Sequence, residues 1–258
     1  MIPESSAQEI RMRAKAIAMR SDKSPAVRTD AASAFHSADH KEGRLTQAEL
    51  DIFLEKHMKD SPLLARLPLP HERINTSAAN QIAIPINHFD CGFGFPVLME
   101  AVAVFDHYGV VPGQLPPNSI AAIYSFISYL RSERVQFSIR LFRECFSMRS
   151  IPDSGTKIFR GHLYFGCRGL KVVNLANKIA NWSERYLIFE GNLGLLPVHP
   201  QVRDEAAFGS SGLDGVEKEI FNFFKGERLD VTHYLPLLPT LEDVHAQDSK
   251  YHSAELLC

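Results

Sequence analysis

The spacing of apolar residues predicts a helix where the ordered part of the chain begins. In the segment LTQAELDIFLEKHM, large apolar side chains recur at helical spacing between Leu50 and Met58 and form one face. Thr46 followed by Glu49 is a capping box, in which the two residues satisfy each other's backbone amides at a helix start. We therefore expect a helix that begins after Thr46 and ends before Pro62.

A second helix is predicted around the segment PVLMEAVAVFDHYG. Its apolar stripe runs from Leu98 to Tyr108 at helical spacing. Pro96 suits the first position of a helix, because a proline there loses no internal hydrogen bond. Gly109 suits the end, where a left-handed backbone conformation is common.

Two more helices follow a turn-rich loop. The first is expected to be capped by Asn118 or Ser119 and to carry its apolar stripe to Leu130. Ser138 is expected to cap the second. The inward positions predicted for that second helix are Leu141, Phe142, Cys145 and Phe146.

The second half of the chain changes to short β-type runs. KIFRGHLYFGC and RYLIFEG are aromatic, β-branched and bounded by glycine, which predicts strands, and LKVVNL is a further candidate. In the first half QIAIPI alternates, but Pro85 predicts an edge strand. One more helix is expected near 214–226. The pattern therefore predicts an α+β fold, with a helical N-terminal half packed on a small antiparallel β-sheet.

The ends of the chain have a different composition. Residues 1–43 are rich in Ala, Ser, Asp and Lys, which predicts a disordered arm. From residue 200 onward, eleven acidic residues face five basic ones. We expect an ordered domain at 44–197 and a frayed acidic tail with one helix at 198–258.

Composition limits the compartment and excludes some classes of protein. No apolar run reaches the roughly 18 residues of a membrane span, so no membrane partner is expected. The first residues lack the apolar core of a secretory signal. The four cysteines have no C-x-x-C spacing, which fits reduced thiols and argues against a zinc knuckle. We expect a protein of the nucleus or cytoplasm, although the basic arm leaves organelle targeting open.

Several motifs occur in an order that a known family shares. They are LTQAELDIFLEKH, then GFGFPVLMEAVAVFDHYGVVPGQLPPNSIAAIYSFISYLRS, LFRECFSMR, HLYFGCRG and NWSERYLIFEG. This order resembles a plant domain described as a gypsy-type transposon, or transposase, domain, over residues 45–195. Its most specific parts are the YG-x-x-P-x-Q-L-P-P-N-S loop and the step Trp182-x-x-Arg185. Gly94 stands where a basic residue is common in that family.

The resemblance implies an origin in a long terminal repeat retroelement rather than a reaction. By analogy with structural gag-type proteins, it implies a role in assembly or packaging. The chain would then act through protein partners or through self-association.

The tripeptide Asp153-Ser154-Gly155 has the signature of an aspartic protease. Such an enzyme needs its aspartate at the end of an apolar strand, so that two carboxylates can share a proton. Here Pro152 precedes the aspartate, and Pro-Asp-Ser-Gly favours a turn. We interpret the segment as a turn.

Other reactive groups show no convergent spacing. A transposase or integrase needs three carboxylates around two metal ions, but Asp90, Asp106, Glu133 and Glu144 do not form that pattern. The nearest approaches to metal-ligand pairs are His88 with Cys91 and His162 with Cys167. We expect no catalytic residues, no cofactor and no metal.

Positive charge is concentrated in two stretches. Residues 11–28 hold six basic side chains and one acidic one, and residues 131–171 hold nine basic and three acidic ones. Basic groups beside aromatic ones can follow a nucleic-acid backbone and stack bases. The neighbouring aromatic residues are Phe159, Tyr164 and Phe165. The candidate nucleic-acid-binding residues are Arg131, Arg134, Arg140, Arg143, Arg149, Lys157, Arg160, Arg168 and Lys171.

Two functions therefore stay open at the level of the sequence. The first is a non-enzymatic, retrotransposon-derived module that acts through protein–protein association. The alternative is a nucleic-acid-binding module that uses the basic region 131–171.

Overall fold

The computed structural model describes residues 42–59, 61–74, 80–150, 163–175, 179, 181–194, 196–197 and 212–235. The predicted disordered arm, apart from its last two residues, and much of the acidic tail lie outside the described residues. So does the tripeptide at 153–155. Within the described part the fold is α+β, as the sequence predicted.

The helices and strands alternate irregularly along the chain. The helices are α1 (Gln47–His57), α2 (Met99–Tyr108), α3 (Pro117–Ser132), α4 (Ile139–Cys145), α5 (Gly215–Phe224) and α6 (Val231–Tyr234). The strands are β1 (Leu64–Arg66), β2 (Gln81–Pro85), β3 (Phe146–Ser150), β4 (Leu163–Cys167), β5 (Lys171–Val173), β6 (Tyr186–Glu190) and β7 (Arg228–Asp230). Short 3-10 helices span Ile86–Cys91, Pro112–Gln114 and Trp182–Glu184.

Helix α1 begins at the predicted capping box. The Glu49 amide donates to Thr46 Oγ1 at 3.3 Å, and the Thr46 amide donates to Glu49 Oε2 at 2.9 Å. The helix then buries Leu50 and Phe53. Phe53 meets Phe189 of strand β6 edge to face, with 6.0 Å between ring centroids, so α1 packs on the sheet.

The largest sheet has β6 in the middle, with β1 and β2 antiparallel to it on either side. One of its faces belongs to the main core, where Ile84 and Phe189 are fully buried. The other face is covered by the segment around Ile74, which packs with Tyr186 and Ile188. Strand β2 lies at an edge, as Pro85 predicted.

Helix α3 is the centre of the molecule. Its residues from Ser119 to Leu130 are all buried, so it is enclosed on nearly every side rather than amphipathic as its stripe suggested. It begins at Pro117 after Pro116, because proline needs no amide partner in the first turn. The predicted cap Ser119 has another role. Its hydroxyl accepts the Phe165 amide of strand β4 at 3.0 Å.

Two other helix ends differ from the predictions. Helix α2 begins at Met99 rather than at Pro96. Helix α4 has its predicted cap at Ser138 but ends at Cys145, and Phe146 opens strand β3. Strand β3 pairs antiparallel with β4, from Phe146 opposite Cys167 to Ser150 opposite Leu163. This partner lies far along the chain, so local periodicity could not reveal the strand.

The segment 215–234 packs into the same core as the rest. Helix α5 falls where the sequence predicted it and is capped by Asp214. Its Phe224 is fully buried, and the ring centroids of Phe224 and Tyr129 of α3 are 4.9 Å apart. Strand β7 then pairs with β5, and this pairing is parallel, unlike the antiparallel sheets elsewhere.

Candidate functional site

The signature loop of the predicted family motif is buried. Gly109 ends α2 in the left-handed conformation. At Gly113 a Cβ atom would lie 2.8 Å from the carbonyl oxygen of Ala83, so no larger residue fits. The Nε2–H of His88 donates to the carbonyl of Leu115 at 2.9 Å. These residues join the loop to β2 and to the 3-10 turn before α2, and they have a packing role.

The second specific motif also joins elements. Trp182 stacks on His88 with 6.0 Å between ring centroids. Arg185 pairs with Glu49 of α1, with Nη2 and Oε1 2.9 Å apart. The most specific residues of the motif therefore hold α1, β6 and the loop together.

The pair nearest to metal-ligand spacing, His88 with Cys91, lies in a buried environment that keeps both side chains uncharged. Burial lowers the pKa of His88 to about 3, so its ring is neutral at ordinary pH. Burial raises the pKa of Cys91 to about 12, so its thiol stays protonated. His162 lies outside the described residues. Among the residues that are described, no group of three or more His, Cys, Asp or Glu side chains could hold a metal ion.

The nine candidate basic residues fall into different environments. Lys157 and Arg160 lie outside the described residues. Arg131 is paired with Glu100, with Nη2 and Oε1 2.8 Å apart. Arg134 is exposed just after α3, and its φ angle is 55°. The sequence concentrated these residues in one stretch, whereas the fold separates them.

Arg140 is held by a carboxylate at the interface of two helices. Its Nε lies 3.2 Å from Oε2 of the buried Glu217. Glu217 also accepts a hydrogen bond of 2.7 Å from the hydroxyl of Ser138 and one of 3.3 Å from the amide of Asp214. One carboxylate thus connects the N-termini of α4 and α5. Binding a phosphate at Arg140 would break this contact.

The hairpin β3–β4 presents a basic and an aromatic side chain side by side. Arg149 is exposed and lies directly opposite the half-buried Tyr164. Its side chain extends over Gly166, where a Cβ atom would lie 2.9 Å from Arg149 Nε. Phe165 faces the other way and is buried. Its ring centroid lies 5.1 Å from that of Tyr108. The predicted stacking partner Phe165 is therefore part of the core.

Arg143 and Arg168 lie on the same side of the molecule. Burial raises the pKa of Tyr108, and the positive charges of Arg143 and Arg168 oppose that rise. Arg168 is exposed, and its amide donates to the carbonyl of Cys145 at 2.8 Å. The end of β4 is thereby fastened to the end of α4.

One exposed basic residue that neighbours a candidate in the fold was not among the residues that the sequence indicated. Arg228 of strand β7 lies directly opposite Lys171 of strand β5, and both are exposed. Arg228 belongs to a stretch that is acidic on balance, and no local pattern indicates that it meets Lys171. Only the parallel pairing of β5 with β7 brings the two cations together.

We refer to Arg149, Arg168, Lys171 and Arg228 as the basic ridge. All four side chains are exposed. Within the described residues none of the four is in an ion pair with a carboxylate.

A second candidate surface is apolar. Strand β1 is the other edge of the main sheet, and Leu64 at its start is 71% exposed. Leu69, five residues later, is 50% exposed. Between them Arg66 is bound to Glu72 and Glu190, with its Nη1 and Nε each 2.6 Å from a carboxylate oxygen. The two leucines are therefore carried on a firmly held segment, which we call the leucine edge.

Comparison with known families supports the family resemblance that the motifs suggested. Residues 83–150 match a family described as "Putative gypsy type transposon". This stretch runs from β2 to the end of β3 and includes the signature loop and the central helix. The match supports a transposon-derived family for this chain. No curated protein and no solved structure matches it. In the part of the chain that is described, no helix is both long and apolar enough to cross a membrane.

Proposed function

We propose that the protein is a non-enzymatic module, derived from a plant gypsy-type retrotransposon, that acts through protein–protein association. In a parent element its role would be gag-like assembly, and copies of the chain itself would be its first partners. Such a module would work in the nucleus or cytoplasm. The observation that carries the proposal is the leucine edge, where one large apolar side chain projects from an edge strand and a second from the segment that follows it.

The surroundings of the leucine edge indicate how it would bind. Edge strands are prone to pair with other chains, and prolines beside them prevent this. Pro62 and Pro68 flank β1, which is only three residues long. We therefore expect the leucines to dock through their side chains rather than by strand addition. The ion pairs of Arg66 hold the segment in place, which lowers the entropy lost on binding.

Size-exclusion chromatography with light scattering tests the proposal on the full chain. We expect a mass above the 28.9 kDa of one chain, rising with concentration. The double variant Leu64→Glu/Leu69→Glu should have the mass of a monomer, because charge would have to be buried at the contact. Met99→Glu is the matched control, since Met99 is 57% exposed at the start of α2, and it should leave the mass unchanged. A wild-type chain that is monomeric at high concentration would refute self-association.

Nucleic-acid binding is a second candidate function, and the basic ridge favours it. Surface cations are commonly balanced by neighbouring carboxylates, as Arg131 and Arg140 are here. The four ridge residues have no such partner in the described part of the chain. Two of them, Lys171 and Arg228, face each other across paired strands, and like charges directly opposite each other are unfavourable.

A further inference from the structure

The residues of the basic ridge follow one another along two pairs of neighbouring strands. Arg149 lies opposite Tyr164 of strand β4. Arg168 is four residues beyond Tyr164, which places it about 13 Å further along the direction of that strand. Lys171 is three residues further on, at most about 10 Å away. Arg228 lies on the neighbouring strand, about 5 Å from Lys171. The four cations therefore lie along a path of at most about 30 Å.

We propose that the basic ridge is a binding site for the phosphate backbone of single-stranded nucleic acid, with Tyr164 as a stacking position for one base. This inference rests on nucleic-acid binding as the second proposed function and assigns it to particular residues. Arg131 and Arg140 are not part of the site, because Glu100 and Glu217 already hold them.

Charge complementarity and the position of Tyr164 indicate this ligand. A row of cations without carboxylate partners attracts a linear polyanion. Tyr164 is half-buried beside Arg149, so an aromatic residue that is partly accessible lies next to an exposed cation. Bases of a single strand can stack on such a ring, whereas those of a duplex are already stacked on each other.

Salt dependence gives a quantitative expectation. Each phosphate contact to a single strand contributes about −0.7 to the slope of log affinity against log salt. Four contacts predict that affinity falls about 50-fold between 50 and 200 mM salt. With two of the four contacts removed, the same change of salt should lower affinity only about sevenfold.

Fluorescence anisotropy measures the affinity and its salt dependence. The ligands are labelled 20-nucleotide RNA and DNA strands of mixed sequence, and the protein is the full chain. The test variant is Arg168→Gln/Arg228→Gln, which removes two ridge charges at exposed positions. The matched control is Lys59→Gln/Lys218→Gln, which removes the same charge from exposed positions on α5 and after α1. We expect at least a tenfold loss of affinity and the shallower salt slope for the test variant, and less than a twofold change for the control. Circular dichroism melting checks that both variants are folded.

The variant Tyr164→Leu distinguishes a nucleic-acid ligand from an acidic protein ligand. It should weaken binding to RNA or DNA at least fivefold, since a stacked base is lost. It should leave binding to poly-glutamate unchanged. Equal loss with both ligands, or no loss with either, contradicts the stacking position. A stronger effect on RNA than on DNA would identify RNA as the ligand.

The outcomes distinguish the inference from the function on which it rests. If neither strand binds at 50 mM salt, nucleic-acid binding itself is wrong. If both bind, but the ridge variant binds as the control does, nucleic acid is bound elsewhere on the chain and the ridge assignment is wrong.

Discussion

At single positions of the signature loop, the space around the residue determines which side chain can be accommodated. Gly113 lies against the backbone of the segment before β2 as well as against β2. A Cβ atom there would be 2.8 Å from Ala83 O and 3.2 Å from Ile74 O. Backbone atoms cannot move aside as the end of a flexible side chain can. Gly94 is the opposite case, because nothing lies within 4 Å of its hypothetical Cβ.

Substitution of these two glycines gives a matched prediction. Gly113→Ala should lower the free energy of unfolding by about 1–3 kcal/mol, as expected for overpacking. Gly94→Ala should change it by less than about 0.5 kcal/mol, as at other surface positions. Urea denaturation followed by fluorescence measures both. A similar cost at the two positions would contradict the packing role of the signature loop.

Charged residues in the same sequence stretch can have opposite roles. Arg140 and Arg149 are nine positions apart, but Arg140 meets a buried carboxylate while Arg149 extends over a glycine on a strand. By sequence alone the two residues fall into one group, because only their charge is visible there. Their partners, Glu217 and Gly166, could not be inferred, since both lie across tertiary contacts.

At the level of elements, a partly buried ion-pair network attaches the connector after β1 to the main sheet. Arg66 Nη1 and Nη2 bind the two carboxylate oxygens of Glu72 at 2.6 and 2.7 Å. The Leu69 amide donates to the same carboxylate, and the Tyr186 hydroxyl donates to the Glu72 carbonyl. This network keeps the leucine edge in one conformation.

The network predicts a pH dependence of stability. The hydrogen bonds from Arg66 lower the pKa of Glu72 to about 2. A carboxyl group whose pKa is lower in the folded state stabilises the protein fully above its unfolded pKa, near 4.3. Most of that contribution, about 2–3 kcal/mol, should be lost as pH falls from about 5 to 2, and the rest below pH 2.

Glu72→Gln isolates this contribution from those of the other carboxyl groups. The difference in free energy of unfolding between the wild type and Glu72→Gln should be largest above pH 5. It should shrink steadily toward pH 2, as measured by urea denaturation across that range. A difference that does not depend on pH would show that Glu72 is not held as the structure indicates.

At the scale of the whole molecule, the C-terminal segment contributes to the core. Phe224, Leu229 and Ile220 are at most 3% exposed, although they lie beyond the ordered domain that the sequence predicted to end at 197. Burying each such side chain contributes roughly 1.5–3 kcal/mol. Their sum is comparable to the total stability of a typical domain, about 5–15 kcal/mol.

Truncation tests this contribution. A chain that ends at residue 197 should be unfolded or aggregated, because it exposes Tyr129 and the rest of the α3 surface that α5 and β7 cover. A chain that ends at residue 235 keeps every described element and should melt within a few degrees of the full chain. Calorimetry and limited proteolysis measure both. Cooperative melting of the shorter chain would show that 44–197 is an independent domain.

The sequence by itself determined the features that depend on neighbouring residues. The capping box of α1, the helices α1 and α5, the aromatic strands and the α+β class could all be predicted, because helix caps and side-chain periodicity act within a few positions. The motif order also indicated the transposon-related family. Only the tertiary structure decided strand β3, the parallel pairing of β5 with β7, the burial of α3 on nearly every side and the meeting of Lys171 with Arg228. Each of these depends on contacts between residues far apart in the chain, where the identity of the partner is set by how the whole core packs.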